Sequence, residues 1–462
     1  MSLKASLQKL TGLFAPKSIV LVGASANPLS LGFTVARSLI RQFKGPVYYL
    51  NPTEAKVLGS STYADIRDVP QGQHLWIFAT VTKDFPVFLR QVCEQNPAAI
   101  LLLTEIPAHI ISETTKTLSS FKCPVIGPRS AGYLDTTTMI DAITLPNEML
   151  QRPPSGATGV LTDNRDVAFG LLELLSKYRC GVSRVIDLGD SIGTDESAVM
   201  SFFANDSSTR VIILASGQIA RLRTFKSAVR RAQRAKKPVI VPQFSPEIID
   251  MLGLHRRSDA GASHITRALV EQLKLIETTS WGRAVDLAKL CQWQPLPKGP
   301  GIAVISNFGP YCVNAASSLQ YSKMKVAHLA TQTLRQLQET LPPYCRAANP
   351  TCLYTNADEI RLDTALQIIF PDTSVHTVML CLLPNSPFID PDYLGIMLRQ
   401  RLARVETTKT IIGIIPAIEP DNLLIQALEQ LQIPVYSNPH RAVSTLETAY
   451  RYTSSLSQTR SK

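Results

Sequence analysis

The stretch Ser18–Gly32, S-I-V-L-V-G-A-S-A-N-P-L-S-L-G, decides the fold of the first part of the chain. Its run Ile19–Val22 is short, apolar and rich in β-branched residues, which is typical of a strand buried on both faces of a parallel sheet. Small residues, Gly23-Ala24-Ser25, form a turn, and apolar residues recur at helical spacing after Gly32. Such a strand, turn and helix can bind phosphate at the helix N-terminus, although an ordinary βα turn has the same pattern. Since the G-x-G-x-x-G pattern is missing, a dinucleotide is not the first choice.

Length and composition indicate a globular protein of about three domains. The chain has 462 residues, of which 45% are hydrophobic and 18% are charged. No apolar run approaches the ~20 residues that span a bilayer, and the N-terminus lacks the apolar core of a signal peptide. We therefore expect a cytoplasmic protein with no membrane partner.

The eight cysteines are scattered without any C-x-x-C pair, so neither a metal site nor a disulfide framework is predicted. The net charge is +11, and the densest basic stretch is Arg221–Lys237. Nucleic acid is an unlikely partner, because no nucleic-acid-binding motif accompanies these charges. We interpret the stretch as a helix with a solvated basic face, because its apolar residues fall on one side. These residues are Leu222, Phe225, Val229 and Ala232.

Five apolar segments before residue 132 alternate with segments of helical periodicity. This alternation predicts a doubly wound α/β domain with parallel strands and right-handed crossovers. Ligands on such sheets bind beyond the carboxyl ends of the strands, so the residues that follow the strands should converge on one rim. The predicted strands are Ile19–Val22, Val47–Leu50, Leu75–Ala79, Ile100–Leu103 and Pro124–Ile126.

Four motifs carry a resemblance to a known family. They are P-K-S leading into V-G-A-S-A-N-P-x-x-x-G from residue 16, L-N-P at 50–52, T-E-I-P at 104–107 and I-G-P at 126–128. Together they resemble the CoA-binding domain of the NDP-forming acyl-CoA synthetases, a superfamily that includes the α-subunit of succinyl-CoA synthetase. The resemblance implies a Rossmann-like domain whose strand ends hold CoA or acyl-CoA.

Carried over by position, the resemblance assigns contacts to CoA at every strand end of this domain. These residues are Gly23, Ala24, Ser25, Asn51, Pro52, Val81, Thr104, Glu105, Gly127, Pro128 and Arg129. The family usually has Gly-Pro-Asn where this chain has Gly127-Pro128-Arg129. The thioester end of the site therefore differs, and Arg129 could contact an anionic ligand there.

A segment with Pro, Ser and Gly around residues 149–156 is predicted to link the first domain to a second α/β domain. The order of its strands and helices resembles the flavodoxin-like second domain of the same superfamily. Its L-G-D-S at Leu188–Ser191 resembles the Pat-type protein lysine acetyltransferases. In the family a mobile histidine of this domain attacks an acyl phosphate and carries the phosphoryl group to ADP. Ala260-Gly261 and the helix predicted after them place His255 at that position.

Four departures surround the predicted phosphohistidine. Arg257 replaces a glycine, Gln243–Pro246 replaces a Lys-Ser-Gly-Arg phosphate loop, and Gly217 stands where the family has an orienting glutamate. Thr162–Arg165 replaces a Ser-Gln-Ser-Gly turn and adds the carboxylate of Asp163 where an anion should bind. Losing one positioned donor or charge typically costs a factor of ~10² to 10³ in rate, so these residues argue against efficient phosphoryl transfer.

After Pro295–Pro300 the chain resembles the third domain of the superfamily, also flavodoxin-like. The resemblance assigns Asn307, Gly309 and Asn349 to the region of the phosphate, although both asparagines could simply brace turns. The predicted organisation is a CoA-binding domain at 1–148, flavodoxin-like domains at 149–297 and 298–455, and a disordered tail at 456–462.

Three functions stay open from the sequence. The first is the α-subunit of an ADP-forming acyl-CoA synthetase, which would form an acyl phosphate and relay phosphate through His255. ADP or ATP would then act only through a separate ATP-grasp β-subunit. The second is an acyl-CoA sensor or scaffold without turnover, related to the N-terminal part of Pat-type acetyltransferases. The third is a binder of nucleic acid or acidic protein through the basic helix. A homo-oligomer is possible in each case.

Overall fold

The computed structural model describes residues 10, 12–82, 84–121, 123–217, 219–242, 268–404, 408–416 and 422–460. The chain divides into two compact units, residues 1–288 and 289–462. In the described residues the first unit has two sheets and the second has one. Most strand pairings are parallel and helices lie between the strands, so the expected α/β class is confirmed.

The first sheet carries the opening motif on its central strand. Its strands lie in the order β3-β4-β2-β1-β5-β6-β7, and every pairing is parallel except that of β3 with β4. All four residues of β1 are buried, as the β-branched run predicts. The strands are β1 (Ile19–Val22), β2 (Val47–Leu50), β3 (Lys56–Val57), β4 (Ser60–Tyr63), β5 (Leu75–Phe78), β6 (Ala99–Leu102) and β7 (Val125–Ile126). Its helices are α1 (Leu31–Gln42), α2 (Phe85–Glu94) and α3 (Ala108–Ser120), with a 3-10 turn at Ile66–Asp68.

The second sheet of the first unit has the order β14-β13-β12-β10-β11-β8-β9. Its strands are β8 (Tyr133–Asp135), β9 (Ile140–Asp141), β10 (Ser155–Thr162), β11 (Val182–Asp187), β12 (Val211–Ala215), β13 (Val239–Pro242) and β14 (Ile276–Thr278). Its helices are α4 (Arg165–Lys177), α5 (Glu196–Asn205) and α6 (Leu222–Arg234). The antiparallel hairpin β8–β9 precedes the predicted boundary at 148/149, yet it pairs with β11 of this sheet.

Helix α6 is the basic helix of the sequence. Phe225, Val229 and Ala232 are buried, which confirms the predicted apolar face, whereas Leu222 at its first position is 40% exposed. Lys237 is buried and its ammonium group donates to the carbonyl oxygen of Phe203. Lys237 therefore stabilises the packing of this domain and does not belong to the solvated basic face.

The second unit contains a six-stranded sheet in the order β16-β15-β18-β19-β20, with β17 paired to β15. Its strands are β15 (Gly301–Ser306), β16 (Lys325–Val326), β17 (Thr351–Cys352), β18 (Thr377–Cys381), β19 (Thr410–Ile414) and β20 (Val435–Tyr436). Helix α7 (Trp281–Trp293) leads into it, and its helices are α8 (Gly309–Gln320), α9 (Thr331–Thr340), α10 (Glu359–Ile369), α11 (Pro391–Arg404), α12 (Leu423–Gln430) and α13 (Pro439–Arg460).

Helix α13 corrects the predicted disordered tail. It continues to Arg460, beyond the start of the tail expected at residue 456. Tyr452 is buried, and the hydroxyl group of Thr453 donates to the carbonyl oxygen of Pro297 at 2.8 Å. These contacts fix α13 as far as Thr453, just before the predicted tail.

None of the helices in the described ranges combines the length and apolarity needed to cross a bilayer.

Arg184 ties the β8–β9 hairpin to the rest of the second sheet. Its guanidinium group lies 2.7 Å from Asp135 of β8 and 2.6 Å from Asp206, and all three side chains are largely buried. The same group lies over the rings of Phe14 and Phe202. Removing one partner of a buried ion pair leaves an uncompensated charge.

We therefore expect Arg184→Met to destabilise the first unit by about 3–5 kcal/mol, because two buried carboxylates lose their partner. Urea unfolding followed by circular dichroism measures the change. Arg67→Met is the control, since Arg67 pairs with Asp65 at the surface. An equal and small effect of both substitutions would contradict the assigned role of Arg184.

Candidate functional site

The turn after β1 is packed too tightly for larger residues. Gly23 has a φ of +81°, and its N–H donates to the carbonyl oxygen of Leu50 at 2.9 Å. A Cβ on Gly32 would lie 1.9 Å from the carbonyl oxygen of Gly23, so the start of α1 touches the turn directly. Ser30 caps α1 by accepting from the N–H of Phe33. Backbone N–H groups and a helix N-terminus are thus brought together, as the sequence predicts for an anion-binding turn.

Asn51 joins the first two strand ends. Its side-chain amide donates to the carbonyl oxygen of Ala24 at 2.7 Å, and its Oδ1 accepts from the N–H of Thr53 at 2.8 Å. Pro52 lies inside this turn. The Asn-Pro motif therefore braces the two turns against each other, and this bracing is what positions Ser25 beside the second turn.

Glu54 is a residue of this site that the sequence argument missed. Its carboxylate accepts from the hydroxyl group of Ser25 at 2.7 Å and from the N–H of Ala26. The hydrogen bond from Ser25 is the largest cause that lowers the pKa of Glu54, followed by that from Ala26. The chain's own carboxylate thus occupies donors predicted to face a ligand phosphate. An acidic residue shortly after the second strand, where dinucleotide folds place a ribose contact, was the available signal.

Glu54→Gln is therefore expected to tighten CoA binding roughly fivefold, because a phosphate no longer competes with a negative charge for Ser25 and Ala26. Titration calorimetry with CoA measures the dissociation constants. Asp65→Asn, which removes an exposed carboxylate in the same domain, is the matched control. Unchanged or weaker binding by Glu54→Gln would show that no anion binds at this turn.

The remaining strand ends meet residues of the second sheet. Arg129, with a φ of +57°, donates its N–H to the carbonyl oxygen of Thr104 at 3.0 Å, which links the ends of β6 and β7. Its guanidinium group lies 2.7 Å from Asp190 of the L-G-D-S motif and 4.0 Å from Glu105. The N–H of Gly127 donates to the carbonyl oxygen of Leu188, and that of Asp190 donates to Pro128. The I-G-P and L-G-D-S motifs are therefore direct neighbours.

Val81 also follows a strand end, after β5, and is half-buried against the apolar residues beneath that end of the sheet. The structure thus places all eleven predicted CoA-contact residues at the carboxyl ends of β1, β2, β5, β6 and β7. Their contact with CoA stays a prediction.

Asp163 lies in the turn of the second domain at which the resemblance predicts a bound anion. Its carboxylate accepts from the hydroxyl group of Ser216 at 2.9 Å and from the N–H of Gly217 at 3.1 Å. The predicted phosphohistidine, His255, and the Gln243–Pro246 loop lie outside the described residues. Asp163 thus repeats the arrangement of Glu54, since a carboxylate of the chain holds donors at a strand end.

Asp187, at the end of β11, is a buried carboxyl group that the sequence argument did not single out. It accepts from the N–H groups of Ala131 and Gly189. Burial is the main cause that raises its pKa to about 6, and the nearby charge of Asp163 adds to this shift. A folded-state pKa above the ordinary value near 4 means that the folded chain binds this proton more tightly than the unfolded chain.

The stability contributed by protonated Asp187 is therefore complete below about pH 4 and is lost as the pH rises through about 6. The loss amounts to about 3 kcal/mol. Asp187→Asn should remove this part of the pH dependence. Urea unfolding at pH 4.5 and pH 7 measures it, with Asp65→Asn as the control, because the pKa of Asp65 is lowered to about 2 by Arg67. An identical pH dependence in wild type and Asp187→Asn would exclude Asp187 as its source.

In the second unit, the predicted phosphate-region residues brace the sheet. Asn307 is fully buried and accepts from the N–H of Leu383 at 2.8 Å. The amide of Asn349 bonds to backbone groups of Ile302, Val304 and Ala327 at 2.8–2.9 Å. Gly309 is the first residue of α8. This geometry favours the bracing role for both asparagines, while their contact with phosphate stays a prediction.

Two family comparisons identify the first unit. Residues 17–134 match the family described as CoA binding domain, and residues 155–291 match the succinyl-CoA ligase like flavodoxin domain. Residues 17–134 are therefore a CoA-binding domain. Residues 155–291 are a flavodoxin-like domain of the succinyl-CoA ligase type, and the two domains follow each other in the predicted order.

Curated relatives extend the similarity over most of the chain. It is 23% identical over 463 residues to the acetate–CoA ligase (ADP-forming) I subunit alpha of Pyrococcus furiosus, covering 96% of this chain and 97% of that subunit. It is 24% identical to the 4-hydroxybutyrate–CoA ligase (ADP-forming) of Nitrosopumilus maritimus, covering 95% of this chain. The chain spans 64% of the length of that ligase.

Solved structures show the same fold. PH0766 from Pyrococcus horikoshii OT3 superposes with a TM-score of 0.84 at 21% identity, over 96% of this chain and 99% of that chain. Acetyl-coenzyme A synthetase 1 of Ca. Korarchaeum cryptofilum, in complex with phosphate and ADP, also gives 0.84 at 21% identity, over 97% and 98%.

Proposed function

We propose that this chain is the CoA-binding, acyl-transferring subunit of an ADP-forming acyl-CoA synthetase. The observation that carries the proposal is its similarity, over nearly the full length of both chains, to a subunit alpha of an ADP-forming acetate–CoA ligase. The tight turn at Gly23 and Gly32, braced by Asn51, supports it, since backbone N–H groups there can receive the phosphates of CoA.

The proposed reaction converts acyl-CoA, ADP and phosphate to the free acid, CoA and ATP. A phosphate oxygen attacks the thioester carbonyl carbon, and the C–S bond breaks to release the CoA thiol. His255 then attacks the phosphorus of the acyl phosphate, and the carboxylate leaves. The phosphoryl group passes from His255 to ADP, and a separate ATP-grasp subunit would supply that nucleotide site. Histidine suits this relay because its neutral nitrogen is a nucleophile near pH 7.

The residues around the relay indicate slow turnover. Asp163 places a carboxylate on the donors of Ser216 and Gly217, so an incoming phosphate must displace it or bind beside it. The experiment must therefore distinguish phosphoryl transfer through His255 from binding of CoA without turnover.

Incubation with acetyl-CoA and ³²P-labelled phosphate tests the relay. We expect acid-labile, base-stable label on the protein, because phosphohistidine hydrolyses in acid. His255→Ala should lose the label, whereas His109→Ala, which changes an exposed histidine of α3, should retain it.

Calorimetric titration of CoA runs in parallel. If the wild type binds CoA but takes up no label, the relay is refuted and the chain is a CoA-binding protein without turnover. Absence of any CoA binding, with Ser25→Trp behaving like the wild type, would refute the proposed function as a whole.

A further inference from the structure

A cavity of about 410 Å³ opens beside the predicted CoA turn. It lies at the carboxyl ends of β6 and β7, next to the first turn of α4. Thr104, Arg129, Thr144 and Arg165 line it, and Leu31 at the start of α1 forms the side nearest to the CoA turn. All of the described residues that line it belong to the first unit.

Arg165 is held at the cavity with donors to spare. Its Nη2 donates to the carbonyl oxygens of Leu103 at 2.7 Å and Ser130 at 3.2 Å. Its Nε is buried and has no acceptor among the described residues. Carbonyl oxygens orient the guanidinium group but do not neutralise it, and in the described part of the chain no carboxylate lies within 4.0 Å of it.

Arg129 presents a second guanidinium group to the same cavity. One of its terminal nitrogens pairs with Asp190, and the other lies 4.0 Å from Glu105, whose side chain is 73% exposed. Its Nε is likewise buried without an acceptor in the described ranges. Each guanidinium group has five N–H donors, so both arginines can donate hydrogen bonds to a further anionic ligand.

Three carboxylates lie near the two guanidinium groups of this cavity. Glu105 is exposed, Asp190 pairs with Arg129, and buried Asp187, whose charge interacts with that of Arg165, is held by backbone N–H groups. Among the described residues, none of these carboxylates is in direct contact with Arg165.

We propose that this cavity binds a carboxylate at the far end of the acyl group, so that the chain prefers CoA thioesters of short dicarboxylic acids. The inference rests on the proposed function, since it assumes that a CoA thioester binds at the adjacent turn. The planar guanidinium fork matches a carboxylate. The hydroxyl group of Thr144 already donates to the carbonyl oxygen of Ala131, so the preference depends on the two arginines. A neutral acyl chain would leave their remaining N–H donors without an acceptor, which is the basis of strong discrimination between substrates.

The test compares succinyl-CoA with butyryl-CoA by titration calorimetry. Both acyl groups have four carbons, and they differ by a terminal carboxylate against a methyl group. The wild type should bind succinyl-CoA roughly 10- to 100-fold more tightly. Arg165→Gln should bring the ratio close to one while binding of butyryl-CoA, which reports an intact fold, stays within twofold. Arg165→Lys should retain part of the preference, and Arg129→Gln should reduce it.

Arg67→Gln, a substitution of an exposed arginine of the same unit, should leave the ratio unchanged. Equal affinity of the wild type for both thioesters, or an unaltered ratio in both Arg165→Gln and Arg129→Gln, overturns the inference. Titration in the presence of inorganic phosphate tests whether the cavity binds phosphate and not the carboxylate of the acyl group. If phosphate weakens both thioesters alike and Arg165→Gln removes only that competition, the cavity binds phosphate and the inference is wrong. If neither thioester nor CoA binds, the proposed function fails instead.

Discussion

The contact between the turn after β7 and the turn after β11 is the constraint on which the first unit depends. Gly189 has a φ of +56°, and a Cβ there would lie 2.1 Å from the carbonyl oxygen of Pro128. Hydrogen bonds from Gly127 to Leu188 and from Asp190 to Pro128 lock the two turns together. Because the carboxyl ends of the two sheets meet here, residues more than thirty positions apart line one cavity. Only a glycine at position 189 permits this approach.

Internal carboxylates distinguish the two turns that resemble phosphate sites. Glu54 engages Ser25 and Ala26 in the CoA-binding domain, and Asp163 engages Ser216 and Gly217 in the flavodoxin-like domain. In both places the donors exist but a negative charge of the chain already uses them. The positive charges of Arg129 and Arg165 line the neighbouring cavity. The arginines at this cavity are the basis for proposing a CoA thioester whose acyl group ends in a carboxylate.

The fold followed closely from the sequence where burial on both faces imposes a pattern. The predicted β1 and β2 have the observed bounds, because each is a short apolar run that ends at a clear turn signal. Two features were missed for the same physical reason. The short hairpin β8–β9 is stabilised by its partner β11 and by Arg184. Helix α13 contacts the distant residue Pro297 through Thr453. Neither stabilisation leaves a local periodic pattern.

The sequence by itself determined the order of the domains, the strand ends at which CoA is expected and the identity of the residues at each turn. Motifs of small residues, Asn-Pro and Gly-Pro are local, so their meaning is readable along the chain. Only the tertiary structure decided which hydrogen-bond donors of the site already have a partner within the chain. Glu54 reaches Ser25 across 29 positions, and Arg165 meets the backbone of Leu103 across 62. Such pairings depend on how two sheets pack, which is why the free donors of the site could be assigned from the structure alone.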